Sequence, residues 1–407
     1  MELQLKSVRP GEGKALCWSF AYFFCLLAGY YLLRPLRDEM GVAGGVRNLQ
    51  WLFTATFLVM LAAVPVYGAV VARLPRRIFI PVVYHFFVFN LAVFWFCLFF
   101  EFEKTTVARV FFVWISVFNL FAVSVFWSFM ADLFSTEQGK RLFGFIAAGG
   151  SAGALLGPTL TVALVEVLGT TNLLVIAMLF LEAAIFCAGK LEIKDGQTKS
   201  SLGGNWLAGI MMVLRSPYLA GIALWVTMLS VAGTFLYFQQ ASIVAAASDD
   251  PAVRTRMFAS IDLAVGLLTV AVQFLATGRL IQRFGVGAAV AFLPLVFVFG
   301  FAVLAWMPAL AVVIAFQAIQ RTANFAISNP AREILFTALP REQKYKAKNV
   351  IDVVVFRGAD AVGGWLFAGL RSLGLGLPAI SLIAIPAMAA WFALALALGK
   401  ASSKARG

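Results

Sequence analysis

About a dozen apolar stretches of membrane-spanning length dominate this 407-residue chain, and several carry arginines or carboxylates inside or against them. A spanning helix needs about 20 apolar residues. The stretches fall at 15–33, 51–72, 78–100, 107–131, 143–167, 172–188, 217–238, 257–276, 287–306, 309–336, 349–370 and 377–398. They are apolar all round and about twice as long as a barrel strand requires, which excludes a transmembrane β-barrel. Hydrophobic residues make up 62% of the chain and charged residues 13%. With a mean hydropathy of +0.92, this is not the balance of a water-soluble domain. The expected fold class is an all-α membrane protein with about 12 transmembrane helices.

Orientation follows from the basic residues. With both termini in the cytoplasm, the termini and the even-numbered loops hold about 21 of the 32 lysines and arginines, as the positive-inside rule requires. The net charge of +13 is thus read as orientation and contact with the anionic lipid bilayer, and no nucleic-acid partner is expected. The expected location is a bacterial inner membrane. The apolar run from Ala15 is too long for a cleavable signal and lacks a small-residue cleavage site. Cys17, Cys25, Cys97 and Cys187 fall inside spans without C-x-x-C spacing and read as small packing residues. His85 is the sole histidine, so no metal site and no cofactor are expected. No G-x4-G-K-[ST] loop and no soluble catalytic domain occur in the sequence, which argues against an ATP-driven pump and against an enzyme.

The polar segment 189–205 divides the spans six and six, giving halves at 1–188 and 206–407 joined by a cytoplasmic linker. The halves echo each other. Gly68-Ala-Val-Val-Ala-Arg73-Leu-Pro-Arg76-Arg77 follows the second span, and Gly278-Arg-Leu-Ile-Gln-Arg283-Phe-Gly285 follows the eighth. Both copies resemble the G-x3-D-R-x-G-R-R loop of the major facilitator superfamily, although Ala72 and Gln282 replace its acid and Pro75 replaces a glycine. The resemblance implies two pseudo-symmetric six-helix bundles. A second echo joins Leu133-Phe134-Ser135 and Glu137-Gln138 to Leu335-Phe336-Thr337 and Glu342-Gln343, each ahead of a Gly/Ala-rich helix. In the fifth span Gly149, Gly153 and Gly157 recur every four residues and precede Pro158. Such a face either lets helices of the two halves pack closely and slide, or forms a static packing surface.

Charges inside the spans mark the candidate site. Arg34 and Arg37 at the end of the first span share a helix face, with Pro35 between them. They offer forked donors to a phosphate or carboxylate, or else form an interfacial cluster neutralised by Asp38 and Glu39. In the tenth span Gln317, Arg321, Asn324, Ser328 and Arg332 follow spacings of four, three, four and four, a polar stripe expected to face a cavity, with Pro330 bending the helix. Arg321 is expected to meet a carboxylate or an anionic substrate. The eleventh span carries Asp352, which points away from Arg357 and Asp360; these last two lie on one face and can pair. A pair that exchanges its partner for a proton or for substrate is a coupling device; a permanent intrahelical pair is the alternative. Glu182, in the sixth span with no partner visible in sequence, is a further candidate.

The segments Phe126-Trp127-Ser-Phe129, Glu137-Gln-Gly-Lys140-Arg141-Leu-Phe143-Gly144, Tyr345-Lys-Ala-Lys348-Asn-Val-Ile351-Asp352 and Leu33-Arg34 with Arg37-Asp38 resemble the bacterial and plastid ATP:ADP antiporter family of nucleotide transporters. The resemblance implies exchange of nucleotides through a cationic cavity, with Arg37 as a phosphate contact. Gly358-Ala359-Asp360 stands where that family has Gly-Lys-Ser, and Ile115 stands near the place of an expected acid. The expected function is therefore secondary active transport by alternating access of an organic anion such as a nucleotide or phosphorylated metabolite. The alternatives are a proton-coupled exporter of drugs or metabolites, titrating Asp352, Asp360 or Glu182, and a non-transporting membrane sensor.

Overall fold

Hydrocarbon offers no partner to a backbone N–H or C=O, so a chain of this composition must satisfy its peptide groups within helices. The computed structural model describes residues 9, 11–73, 76–191, 206–275, 277–336, 347–348 and 350–404, and among them every regular element is helical. The helices are α1 (Gly13–Ala43), α2 (Leu49–Arg73), α3 (Arg76–Phe99), α4 (Lys104–Leu133), α5 (Thr136–Gly189), α6 (Trp206–Arg215), α7 (Pro217–Ala247), α8 (Pro251–Leu275), α9 (Thr277–Trp306), α10 (Leu310–Ala323), α11 (Asn329–Phe336), α12 (Phe356–Ser372) and α13 (Leu377–Lys404). Two π-helical stretches, Asn324–Ser328 and Val350–Val355, lead into α11 and α12. Among the described residues, ten segments are long and apolar enough to cross a membrane. One of them, Arg141–Gly189, supplies two crossings. The charged stretch from Val350 to Ser372 completes the correspondence with the spans read from the sequence.

Two compact units are present: residues 1–45, 58–201 and 248–263 form one, and 46–57, 202–247 and 264–407 the other. In the first unit α5 breaks at Gly169, whose φ of +77° and ψ of 162° are open to glycine. Before the break α5 runs parallel to α1, with Gly149 against Phe20 and Gly157 against Ala28; after it the direction reverses, with Phe180 against Gly29 and Phe186 against Trp18. The glycine face therefore packs on the first helix of the same unit. Of the two readings of this face, close packing describes its contact with α1. A Cβ on Gly149 would stand 2.6 Å from the Phe20 carbonyl oxygen and one on Gly157 2.7 Å from that of Ala28, and Gly153 faces the Phe24 carbonyl in the same way. Buried Pro158 sits beside them without ending the helix. On the other side of α1, Tyr22 donates to the Tyr84 hydroxyl at 2.6 Å and Tyr84 to the Ala122 carbonyl at 3.2 Å, linking α1, α3 and α4 through buried polar atoms.

α5 starts with a capping box: the Ser135 hydroxyl accepts from the Gln138 N–H, and the Gln138 side chain accepts from the Ser135 N–H. Beside it Glu12 receives two bonds from Arg141, at 2.9 and 3.2 Å, and one from the Gln138 amide. Together with the Arg9 N–H, these donors hold the Glu12 carboxyl down at about 2. The sequence echo between 133–141 and 335–346 thus marks a helix start in its first copy; most of the second copy lies outside the described residues.

In the second unit α7 and α12 meet through small residues, Gly363 lying against Val231 and Thr234 and Gly364 against Phe238. Trp225 and Trp391 pack at 5.5 Å between α7 and α13. Helix α9 breaks at Gly285, with φ +77° and ψ 170°. This is the glycine that ends the second loop copy read in the sequence. The π-helical turn at Asn324–Ser328 lies just before Pro330. A proline ring donates no N–H to the carbonyl four residues back and presses against it, which widens the turn.

Gly153→Ala should lower stability by about 1–3 kcal/mol, the usual cost of forcing atoms into a packed interior. Gly144→Ala, whose Cβ would meet nothing within 4 Å, should leave it unchanged. Thermal unfolding of the purified protein in detergent checks both, and a native unfolding temperature for Gly153→Ala would refute the close approach of α1 and α5.

Candidate functional site

The first span does not stop at Leu33. α1 continues through Pro35 to Ala43, so Arg34, Arg37, Asp38 and Glu39 all belong to the helix. Apolarity alone ends the span early because charged residues that face protein lower its hydropathy without leaving the membrane. Each charge meets a different neighbour within the first unit. Arg34 lies 3.6 Å from Asp262 of α8, whose side chain is 2% exposed. Arg37 stacks on the Phe112 ring of α4 at 4.2 Å and pairs with Asp38 at 3.3 Å. Glu39 accepts two bonds from Arg254, both 2.7 Å, in a buried fork-to-carboxylate pair. A more exposed pair, Arg256 with Glu166, joins α8 to α5. Of the two sequence readings for this region, neutralisation by the adjacent acids describes Asp38 alone. Glu39 turns instead to α8.

Arg254, Arg256, Glu166 and Asp262 were not singled out from sequence. The eighth apolar stretch starts at 257 in the sequence, which puts both arginines in a loop, whereas α8 begins at Pro251. Asp262 did carry a signal: it is an acid in the middle of an apolar run.

In the second unit Asp360 gathers donors from two helices. Arg357 approaches one carboxylate oxygen at 3.3 Å, and Ser230 and Thr234 of α7 donate to the other at 2.5 and 3.2 Å. The intrahelical pair expected from the spacing is present, and α7 supplies hydroxyls that one-dimensional spacing does not reveal. Asp352 pairs with Arg332 at 3.3 Å, and Lys348 with Glu333 at 2.6 Å.

The tenth-span stripe is not one continuous face. Gln317 is buried and donates to Gln240 at 2.5 Å while accepting from Gln320 at 2.8 Å. Ser328 is fully buried and donates to the Ala289 carbonyl of α9 at 3.3 Å. Arg321 and Asn324 are half-buried. The π-helical turn takes more residues per turn than an α-helix, so residues beyond Asn324 are rotated away from the face an α-helix would give them.

Glu182 has a partner after all, the Nε2 of His85 at 3.6 Å, and both side chains are about half exposed. Of the loop-motif residues, Gly68 and Arg73 fall in α2, Arg76 and Arg77 open α3, and Gly278 falls in α9, but their side chains lie outside the described residues; Arg283 is exposed. No group of three potential metal ligands occurs among the described residues.

Several solved transporter structures share this architecture. The nucleoside transporter NupG aligns over 96% of this chain and 99% of its own with a TM-score of 0.64 and 12% identity. A POT-family peptide transporter aligns over 96% of each chain at 0.63 and 14%. The human organic anion transporter MFSD10 aligns over 95% of this chain and 100% of its own at 0.60 and 18%. No protein-family model and no curated protein sequence matches the chain. The likeness to these solved structures shows the fold: the chain has the all-helical architecture that these transporters share.

Arg254→Ala should cost about 3–5 kcal/mol, because it strands a buried carboxylate. The double replacement Glu39→Gln with Arg254→Gln should be milder than either single change, since no lone charge remains. Thermal unfolding of the native protein, Glu39→Gln, Arg254→Gln and the double Gln variant measures the coupling, and additive effects would show that the pair does not act as a unit.

Proposed function

We propose that the protein is a secondary active transporter that carries an organic anion, in the class of nucleotides and phosphorylated metabolites, by alternating access between the halves 1–188 and 206–407. The observation that carries the anion reading is Arg34. It is an arginine within a spanning helix, its nearest carboxylate is 3.6 Å away, and it makes no hydrogen bond among the described residues. A guanidinium so held keeps its forked donors for an incoming carboxylate or phosphate. Arg37 in the first unit, and Arg321, Asn324 and Gln317 in the second, are the other proposed substrate contacts. NupG is a nucleoside transporter and MFSD10 an organic anion transporter, so the fold accommodates both parts of such a molecule.

In this reading the α1–α8 pairs, Arg34–Asp262 and Glu39–Arg254, separate and re-form during each cycle. A paired charge is cheap in one state and is released by substrate or water in the other. Asp360 with Arg357, and Asp352 with Arg332, are the coupling candidates of the second unit, and Glu182 with His85 is the remaining titratable pair. The excess of basic residues in the termini and even-numbered loops supports cytoplasmic termini in a bacterial inner membrane. Exchange of ATP for ADP itself rests on the resemblance of the 126–144, 345–352 and 33–38 segments.

Uptake of labelled nucleotides and phosphorylated metabolites into proteoliposomes preloaded with unlabelled ligand tests this. Arg34→Ala should raise KM about tenfold or more, the worth of a charged hydrogen bond, and Arg34→Lys should fall between it and the native protein. An Arg34→Ala protein that folds and keeps its KM for every anion carried would remove the substrate role.

A further inference from the structure

Two adjoining cavities in the second unit are unlike in chemistry. The first, about 500 Å³, is lined by Arg47, Gln50, Ser242, Arg371 and Ser372 over a floor that includes Phe238 and Phe367. The second, about 800 Å³, runs between α7, α12 and α13 and is lined almost wholly by apolar side chains such as Phe235, Trp365, Leu366, Leu370 and Met388. Ser372 lines both, so the cationic chamber and the apolar groove meet at this residue. No carboxylate is among the described residues that line either.

We infer that this pair of cavities binds one anionic phospholipid of the surrounding bilayer, its phosphate against Arg47 and Arg371 and one acyl chain in the groove. The charges point to the headgroup. Arg371 spends one donor on the Leu375 carbonyl at 3.0 Å, and Arg47 makes no ion pair or hydrogen bond among the described residues. The depth agrees with this placement. Trp365 packs edge-on against Trp51 at 4.6 Å and donates its indole N–H to Thr54 at 3.0 Å. Partly exposed tryptophans of this kind mark the boundary between headgroups and hydrocarbon. Arg371 is six residues further along α12, about 9 Å at the helical rise, which is headgroup height. The apolar side faces outward, since Leu366 is 52% and Leu373 77% exposed. Both lie in a chain already embedded in lipid, so acyl chains are the available occupant.

The site is also open to a direct test, because Gly369 lines the groove and a Cβ there would meet nothing within 4 Å. Gly369→Leu therefore adds apolar volume at the groove from a Cβ that stands in open space.

Native mass spectrometry of the full chain, exchanged from detergent into mixtures of phosphatidylglycerol and phosphatidylcholine with identical chains, reads the occupancy. The native protein should retain phosphatidylglycerol preferentially. Arg47→Gln and Arg371→Gln should each reduce the preference roughly fivefold, the usual worth of one basic residue at an anionic surface. Arg371→Lys should keep most of it, which separates charge from damage to the fold. Gly369→Leu should lower retention of both lipids. Equal retention of the two lipids by the native protein, or a preference untouched by the double Arg→Gln change, would overturn the headgroup site. Unchanged retention by Gly369→Leu would overturn the acyl-chain placement. Displacement by soluble glycerol phosphate at concentrations matching the lipid would mean a free-anion site, and would overturn the lipid assignment. Because retention is read without transport, these outcomes stand apart from the fate of the transport proposal.

Discussion

A charged side chain inside hydrocarbon has to find its counter-charge in a neighbouring helix, and in this protein that requirement falls most heavily on α1. Four charged residues occupy its last three turns, and they reach α4 through the Phe112 ring and α8 through Asp262 and Arg254. An unmatched guanidinium there would cost several kcal/mol. The first turns of α8 are therefore held to α1 by electrostatics, in a region where apolar contact alone discriminates little because lipid is as apolar as the side chains. The position of α1 is itself fixed by the glycines of α5, which bring the two backbones within carbonyl distance. A residue as small as alanine at Gly153 would press on the scaffold that aims Arg34, Arg37 and Glu39.

Much of this was legible in one dimension. Spans in lipid are set by hydrocarbon thickness, so runs of apolar residues reveal them almost directly, and each of the stretches read from the sequence has a helical counterpart. Gly285 was visible as the end of a repeated loop, and the Arg357–Asp360 pair followed from a spacing of three. What one dimension hid were partners distant in sequence. Asp262 and Arg254 complete charges more than 200 residues away, and Ser230 and Thr234 reach Asp360 from another helix. The glycine face was plain, but its partner was not: spacing shows that a surface is flat without showing what lies on it. The tenth-span stripe failed for a different reason. It assumed an unbroken α-helical register, and the π-helical turn ahead of Pro330 removes that assumption.

The same physics joins scaffold and proposed function. In the proposed cycle, pairs such as Arg34–Asp262 and Glu39–Arg254 act as two-state elements: formed, they satisfy buried charge; separated, they need water or an anion in place of the lost partner. An anionic substrate that supplies this replacement couples its own binding to their opening. The Asp360 cluster offers a comparable element in the second unit, with hydroxyl donors that can remain in place when Arg357 moves.

The claim that the α1–α8 contact opens in every cycle is tested most directly by tethering it. In a background with Cys17, Cys25, Cys97 and Cys187 replaced, Glu39→Cys and Arg254→Cys can be bridged with a short bifunctional thiosulfonate, and anion counterflow followed before bridging, after it and after reduction. The account predicts that bridging stops counterflow and that reduction restores it to the level of the unbridged double variant. Undiminished counterflow with the bridge fully formed would show that α1 and α8 stay together throughout transport, and would contradict it.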